Sequence, residues 1–272
     1  MYDFDYLRAG SVAEAASALA ATPNAKLLAG GQTYLPTLKQ RLANPSCLID
    51  LGGIGELKSI EKDGTALVIG AMATHAEVAV SPIVREALPG LAGLAGGIGD
   101  PQVRHNGTIG GSLANNDPAA DYPSAALALN ATIVTNKREI VADDYFQGIF
   151  TTALEDDEII TQIRFPLPDF AGYAKQEQRA SRYPLVGVFV ARLGSSGEIR
   201  VAVTGAGNDG VFRVDGIEKA LAANFSADAA KSVAVASAAL MGDMHGSAEY
   251  RAHLIPVLAG RAVAAGVNSS GS

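Results

Sequence analysis

Lys26-Leu-Leu-Ala-Gly-Gly-Gln-Thr-Tyr34 is the stretch on which the reading turns. Lys26 to Ala29 reads as a short strand, and residues from about Tyr34 to Leu42 as a helix in which Pro36 is tolerable only in the first turn. Between them stands Gly30-Gly31-Gln32-Thr33. Consecutive glycines let successive backbone N–H groups turn toward one spot, a nest for anionic oxygens. The start of the following helix adds partial positive charge. Gln32 and Thr33 offer side-chain hydrogen bonds. Each hydrogen bond to a charged oxygen contributes about 1.5–3 kcal/mol, so roughly four or five would hold a diphosphate without a lysine. The same residues also fit a plain strand–turn–helix.

Working outward, half of the 30 glycines lie between Gly30 and Gly111. Glycine costs backbone entropy, so such bunching marks sharp bends or close approaches. One bunch repeats the first recipe of hydroxyl, glycine doublet and hydroxyl: Thr108-Ile109-Gly110-Gly111-Ser112, running on through Asn115 and Asn116 to Asp121. Two nests on separate segments would clamp one diphosphate from both sides, leaving Asn115 and Asp121 to meet ribityl or ribose hydroxyls. Gly205-Ala-Gly207-Asn-Asp-Gly210 is a literal GxGxxG after a strand, but a dinucleotide fingerprint needs a helix to open at once. The extended Val211 to Val214 follows instead, so this is read as a turn. No GxxxxGK[ST] occurs, which excludes a P-loop.

The first ~50 residues alternate helix and strand as a small α/β unit. Ser11 to Glu14 reads as a capping box opening one helix, and Thr74 to Glu77 as another. Leu57 to Ile60 and Ala66 to Ile69 read as strands joined at Asp63-Gly64. Ser81 to Leu94 reads as a glycine-interrupted helix, and Gly96 to Pro118 as a long ordered loop of the kind that carries function. A helix from Tyr122 to Leu129, strands at Ala131–Thr135 and Glu139–Val141, and a strand from Glu158 to Phe165 follow. Pro166-Leu-Pro168 is the best domain boundary. Past it come strands at Leu185–Leu193 and Glu198–Thr204, joined through Gly194-Ser-Ser-Gly197, then helices near 215–222, 227–240 and 247–265. The terminal GVNSSGS reads as a frayed end.

Composition narrows the function. Hydrophobic residues make up 48% and charged residues 18%, a globular balance. A net charge of −7 argues against a nucleic-acid partner. The single cysteine, Cys47, rules out an internal disulfide framework, a Cys-rich zinc site and a four-thiolate iron–sulfur cluster; inside an apolar strand it reads as core. Four histidines without HExxH spacing give no metal site, and no acid–base catalytic set is evident. The acidic, aromatic start is no signal peptide, and no apolar run nears the roughly 20 residues of a membrane helix, so a cytoplasmic protein is expected. Lys175, Arg179, Arg182 and Tyr183 cluster past the boundary, either as a solvated stretch or with Lys175 or Tyr183 closing over a ligand. Arg104 and His105 fit solvated loop residues or phosphate contacts, and Glu155 to Glu158 a solvated turn.

AGGQT at 29–33, followed about 75 residues later by GTIGGSLANNDPAADYP, resembles the FAD-binding medium subunit of the molybdenum hydroxylases, the carbon monoxide dehydrogenase and xanthine dehydrogenase medium-subunit type. The resemblance extends to Phe4-Asp-Tyr, to Asp100-Pro-Gln-Val-Arg104 and to the Arg-x-x-x-Tyr-Pro ending at Pro184, and so spans essentially the whole chain. It implies an α+β fold: an FAD-binding domain of the vanillyl-alcohol-oxidase/PCMH type at 1–172, with subdomains 1–54 and 55–172, and a C-terminal antiparallel sheet with packed helices at 173–272. It also implies FAD contacts at Leu27, Leu28, Ala29, Gly30, Gly31, Gln32, Thr33 and Tyr34, then at Ile98, Thr108, Ile109, Gly110, Gly111, Ser112, Asn115, Asp121 and Ile160. Lys175 falls on the flavin-side lysine, and Tyr183 on an aromatic against the flavin ring. Thr33 stands for the usual serine, Asn115-Asn116 for a common His-Ala, and Arg182 where an acidic residue often precedes the tyrosine.

The function implied is electron transfer. A small partner would bring electrons from [2Fe–2S] clusters and a large partner would hold the molybdenum cofactor, in a dimer of heterotrimers (a heterohexamer). FAD here would pass the electrons to an external acceptor, with Lys175 favouring negative charge on the flavin. A stand-alone flavin-dependent oxidoreductase and a non-redox nucleotide-binding domain are the alternatives.

Overall fold

The computed structural model describes the backbone of residues 1–194 and 196–269, with side chains to 266. Ser195, in the expected hairpin loop at 194–197, and the last three residues of the expected frayed end lie outside the described residues.

Among the described residues the α+β fold is built on three larger sheets and one two-stranded hairpin. The first 50 residues place β1 (Asp5–Arg8), α1 (Val12–Ala21), β2 (Lys26–Leu28), α2 (Tyr34–Lys39) and β3 (Cys47–Asp50) in a parallel sheet of order β1-β3-β2. Ser11 caps α1 by accepting from Glu14 N, while the Glu14 carboxylate accepts from Gly10 N. Cys47 is buried with Ile49 and Leu51 in the core of this layer.

The second sheet is antiparallel. It takes β4 (Ile60–Asp63) and β5 (Ala66–Gly70), then waits through six helices: α3 (His75–Val80), α4 (Pro82–Ala87), α5 (Pro89–Gly96), α6 (Pro101–Asn106), α7 (Ile109–Asn115) and α8 (Tyr122–Ala128). The chain returns as β6 (Thr132–Thr135), β7 (Glu139–Val141), α9 (Ala142–Tyr145) and a small hairpin of β8 (Phe146–Gly148) and β9 (Thr151–Thr152), before β10 (Ile160–Pro166) closes the sheet in the order β4-β5-β10-β6-β7. The apolar faces of the helices and of this sheet form the largest core, around Tyr122, Tyr145 and Phe165.

The third sheet, also antiparallel, runs β11 (Pro168–Glu177), β12 (Pro184–Leu193), β13 (Ile199–Gly207) and β14 (Gly210–Arg213). Helices α10 (Asp215–Ala223), α11 (Ala227–Lys231) and α12 (Ala248–Ser269) follow. Both faces of β12 are covered, which is why it reads as an unbroken apolar run. Val186, Val188 and Val190 face a core shared with Ile255 and Leu258 of α12. Phe189, Ala191 and Leu193 join the central core.

Several expectations are corrected. Leu57 to Ser59 is not strand: Gly55–Lys58 is a 3₁₀ turn that buries Ile54 and Leu57 three residues apart, and the strand begins at Ile60. The long loop at 96–118 contains α6 and α7, capped by the Asp100 and Thr108 side chains; helices this short complete too few turns to show a period. β11 went unread because Pro166 and Pro168 looked like a stop. It is an edge strand, where a proline at the first residue costs no ladder bond. The helix expected over 227–240 ends at Lys231, because the chain beyond is drawn along the end of β13: Asn208 N bonds Ala239 O and Met241 N bonds Ala206 O. The GxGxxG at 205–210 is the β13–β14 hairpin, with Gly207 paired to Gly210.

Candidate nucleotide-binding cleft

The two glycine loops face each other across one cleft of about 390 Å³. Their approach is so close that a Cβ at Gly30 would lie 2.0 Å from Asn106 O and 2.8 Å from Gly107 Cα. Gly31 is left-handed at φ 71°, which turns the chain from β2 into α2. Among the described residues the N–H groups of Gly30, Gly31, Gln32 and Thr33 meet no acceptor. The Gln32 side chain bonds Gly30 O at 3.2 Å, bracing its own loop.

The second doublet works differently. Ile109 N bonds Ala73 O, Gly110 N bonds Ala71 O, Gly111 N bonds Thr108 Oγ1 and Ser112 N bonds Thr108 O. Its amides are therefore spent on the fold, so the expected second nest is corrected to a close-packing device. A Cβ at Gly110 would lie 2.6 Å from Ala71 O. What this segment presents to the cleft is shape and the hydroxyls of Thr108 and Ser112.

Leu27 to Tyr34, Ile98, Thr108, Gly110, Gly111, Ser112, Asn115, Asp121, Ile160 and Tyr183 all line this cleft. Two expected residues do not. The Ile109 side chain is fully buried in the central core. Lys175 stands behind the wall, where Nζ bonds Asp121 Oδ1 at 2.9 Å, Gly97 O at 2.9 Å and Arg182 O at 2.8 Å. All three of its donors are used and its charge is matched by Asp121, so it places no free positive charge in the cleft.

Asp121 precedes α8 and is 4% exposed. Its Oδ1 also accepts from Tyr173 Oη at 2.7 Å, and the residue lines the cleft. Burial pushes its carboxyl above the usual range, opposed by the Lys175 ammonium. Asn116 points elsewhere: left-handed at φ 43°, it donates to Gly148 O and Thr151 O and anchors the β8–β9 hairpin.

Sequence reasoning missed several lining residues. Glu158 is not solvated but 4% exposed, accepting from Arg138, Thr135 Oγ1 and Glu155 N. Those bonds, Arg138 first, hold its carboxyl down at about 2. It fixes the turn that delivers Ile159 and Ile160 to the cleft. The one available signal was its place ahead of an apolar strand. His75 and Met72 also line the cleft, although the helix cap and short apolar run that contain them carry no functional mark. Arg104 is a brace, donating to Ile98 O and Gly99 O. Among the described residues His105 bonds only within its own turn, to Pro101 O.

Residues 2–168 match the sequence profile of the family described as FAD binding domain in molybdopterin dehydrogenase. The chain is 37% identical over 270 residues to the nicotine 6-hydroxylase medium subunit of Paenarthrobacter nicotinovorans, covering 95% of each chain. It is 35% identical to the carbon monoxide dehydrogenase medium chain of Hydrogenophaga pseudoflava, covering 96% of each. Among solved structures, carbon monoxide dehydrogenase from Hydrogenophaga pseudoflava superposes with a TM-score of 0.85 at 34% identity, over 98% of both chains. Quinoline 2-oxidoreductase from Pseudomonas putida 86 gives 0.88 at 28% identity, over 100% of this chain and 99% of that one.

Proposed function

The chain belongs to the FAD-binding family of the molybdopterin dehydrogenases, as a medium subunit of the molybdenum hydroxylase type, and from that premise we propose that it is an electron-transfer subunit. Its electrons come from [2Fe–2S] clusters on a small partner and leave to an external acceptor, while a large partner carries the molybdenum cofactor. Three such chains form a heterotrimer that pairs into a dimer, in the cytoplasm. The FAD-binding domain is 1–172 and the C-terminal domain 173–272.

The observation that carries this reading is the pairing of unspent amides at Gly30 to Thr33 with the second glycine segment across one cleft. These donors suit a diphosphate, and the Asp121 carboxylate, which lines the same cleft, suits a hydroxyl or ring N–H beyond it. FAD, when bound, supplies the capacity to take up and release electrons. The chain's residues bind and orient. The first glycine loop grips the phosphates, Thr108 and Ser112 add hydroxyl donors, and apolar Leu27, Ile98, Ile159 and Ile160 exclude water. Tyr183, 46% exposed at the cleft, is placed to cover a flat ring. Lys175 and Tyr173 act one step back by fixing Asp121. No proton-transfer step is assigned to any residue.

The test is direct. Protein purified from its source should be yellow, release FAD rather than FMN on denaturation, and bring an iron–sulfur chain and a molybdenum chain with it. A protein that is colourless and refuses added FAD overturns the reading. Yellow protein that never associates with such partners leaves the cofactor and removes the electron-transfer role.

A further inference from the structure

Two polar atoms beside the cleft are fully enclosed and unpaired: His75 Nδ1 and the Tyr122 hydroxyl. Their rings are neighbours, 5.4 Å apart between centroids and tilted by 47°. Buried polar groups are nearly always paired, so two orphans side by side are a feature to explain. A tyrosine hydroxyl donates, and a neutral imidazole nitrogen without hydrogen accepts. The two orphans are therefore complementary, and either a small ring movement or one buried water satisfies both.

His75 itself lines the cleft, while Tyr122 lies behind it. His75 opens α3 and its own N–H bonds Gly107 O at 2.9 Å, which lays the ring against Gly107. A Cβ at Gly107 would sit 2.6 Å from His75 Nε2, and Gly107 in turn abuts Gly30. The Nε2 edge, Gly107 and the first glycine loop thus form one continuous stretch of cleft floor. Burial, with the Arg104 guanidinium nearby, lowers the imidazole pKa to about 4, so the ring is neutral. With Nδ1 accepting from Tyr122, the ring proton resides on Nε2.

We propose that His75 is a further ligand-binding residue, its Nε2–H donating to an oxygen of the dinucleotide diphosphate while Tyr122 fixes that tautomer through Nδ1. The proposal rests on the FAD reading above and adds to it a donor that neither glycine motif contains. Unlike the loop amides, this donor is aimed by packing on α3 and α8.

The experiment strips the purified protein of flavin and measures FAD affinity by fluorescence quenching, together with the ³¹P resonances of bound FAD. His75→Leu should weaken binding roughly tenfold or more and move a phosphorus resonance. His75→Gln, whose amide reaches the Nε2 position, should bind within about threefold of the parent. Tyr122→Phe should weaken binding in the parent but add nothing in the His75→Leu background, because its only route to the ligand is then gone. Should His75→Leu fail to fold, Tyr122→Phe decides: weaker FAD binding with a moved phosphorus resonance is expected, and parent-like affinity with an unmoved spectrum overturns the proposal. Parent-like affinity and an unmoved spectrum in His75→Leu overturn the proposal, as does a glutamine variant as weak as the leucine one. A parent that binds no FAD overturns the functional reading itself and the proposal with it.

Discussion

Replacing Lys175 with methionine tests the buried framework behind the cleft. The substitution keeps an unbranched apolar stem and removes the ammonium. Lys175 and Asp121 side chains are 9% and 4% exposed and 2.9 Å apart, so water cannot replace the lost partner. Asp121 keeps Tyr173 and its own backbone N–H but loses its only charged partner among the described residues, and the carbonyls of Gly97 and Arg182 lose their donor. Removing one member of a buried pair costs about 3–5 kcal/mol. At roughly 2–4 °C per kcal/mol for a chain of this size, the melting temperature of the apoprotein should fall by about 6–20 °C. The sign of the pH dependence follows from Asp121. Its folded pKa already lies above the unfolded value because of burial, and losing Lys175 raises it further. A carboxylate raised in this way costs stability above its unfolded pKa and recovers it on protonation. The deficit of Lys175→Met should therefore shrink as pH drops from 7 toward the mid-carboxylate range. Adding Asp121→Asn should return at least half of the lost stability, since the buried charge is gone. Thermal melts of the two variants and the parent at both pH values settle it. A single variant within about 1 kcal/mol of the parent at pH 7 refutes the reasoning, and so does a double variant no better than the single.

Gly30→Ala drives a Cβ to 2.0 Å from Asn106 O, so the loops must part; FAD affinity by fluorescence titration should fall at least tenfold, while apoprotein stability drops only about 1–3 kcal/mol. Gly172→Ala meets Ala262 O at 2.1 Å, between β11 and α12; here the melting temperature should drop while FAD affinity measured below the melt is retained. Glu158→Gln should cost about 1–2 kcal/mol at pH 7, Arg138 being half exposed. The Glu158 pKa is depressed from 4.5 to about 2, so its stabilisation is complete above 4.5 and fades as pH falls toward 2, where urea melts of parent and variant should converge.

The legible parts of this chain were those in which one local pattern answers to one force. The strand–Gly-Gly–helix at 26–39 could be read because only glycine allows that turn, and the apolar run of β12 because both of its faces are covered. The capping box at Thr74 and Glu77 forms as spaced, both bonds present. What stayed hidden was set from a distance. Glu158 looked solvated because its partners Arg138 and Thr135 lie some twenty residues upstream on the neighbouring strand and turn. β11 looked like a linker because its prolines sit on an edge that only the sheet order reveals. The last helical pattern broke at Lys231 because β13 offered its backbone to the next segment. Lys175 lies behind the cleft wall and not at it, since nothing local tells an ammonium that reaches a ligand from one that Asp121 intercepts.

The two glycine doublets show how one written pattern serves two physical duties. At Gly30-Gly31 the backbone approaches another loop with its own amides left over, so the glycines make room and the amides remain for a ligand. At Gly110-Gly111 the carbonyls of Ala71 and Ala73 and the Thr108 hydroxyl consume the amides, and the glycines serve to let α7 lie flat on the turn after β5. The second loop is therefore a wall held by the fold, and the first is the gripping element we propose, laid against it. A wall that spends its amides internally keeps its shape when the cleft is empty, which lowers the ordering cost of binding. A grip with unspent amides is the part that gains most when an anion arrives. Substitutions in the first doublet should thus act on affinity and those in the second on folding, even though a reader of the sequence alone would rank the two alike.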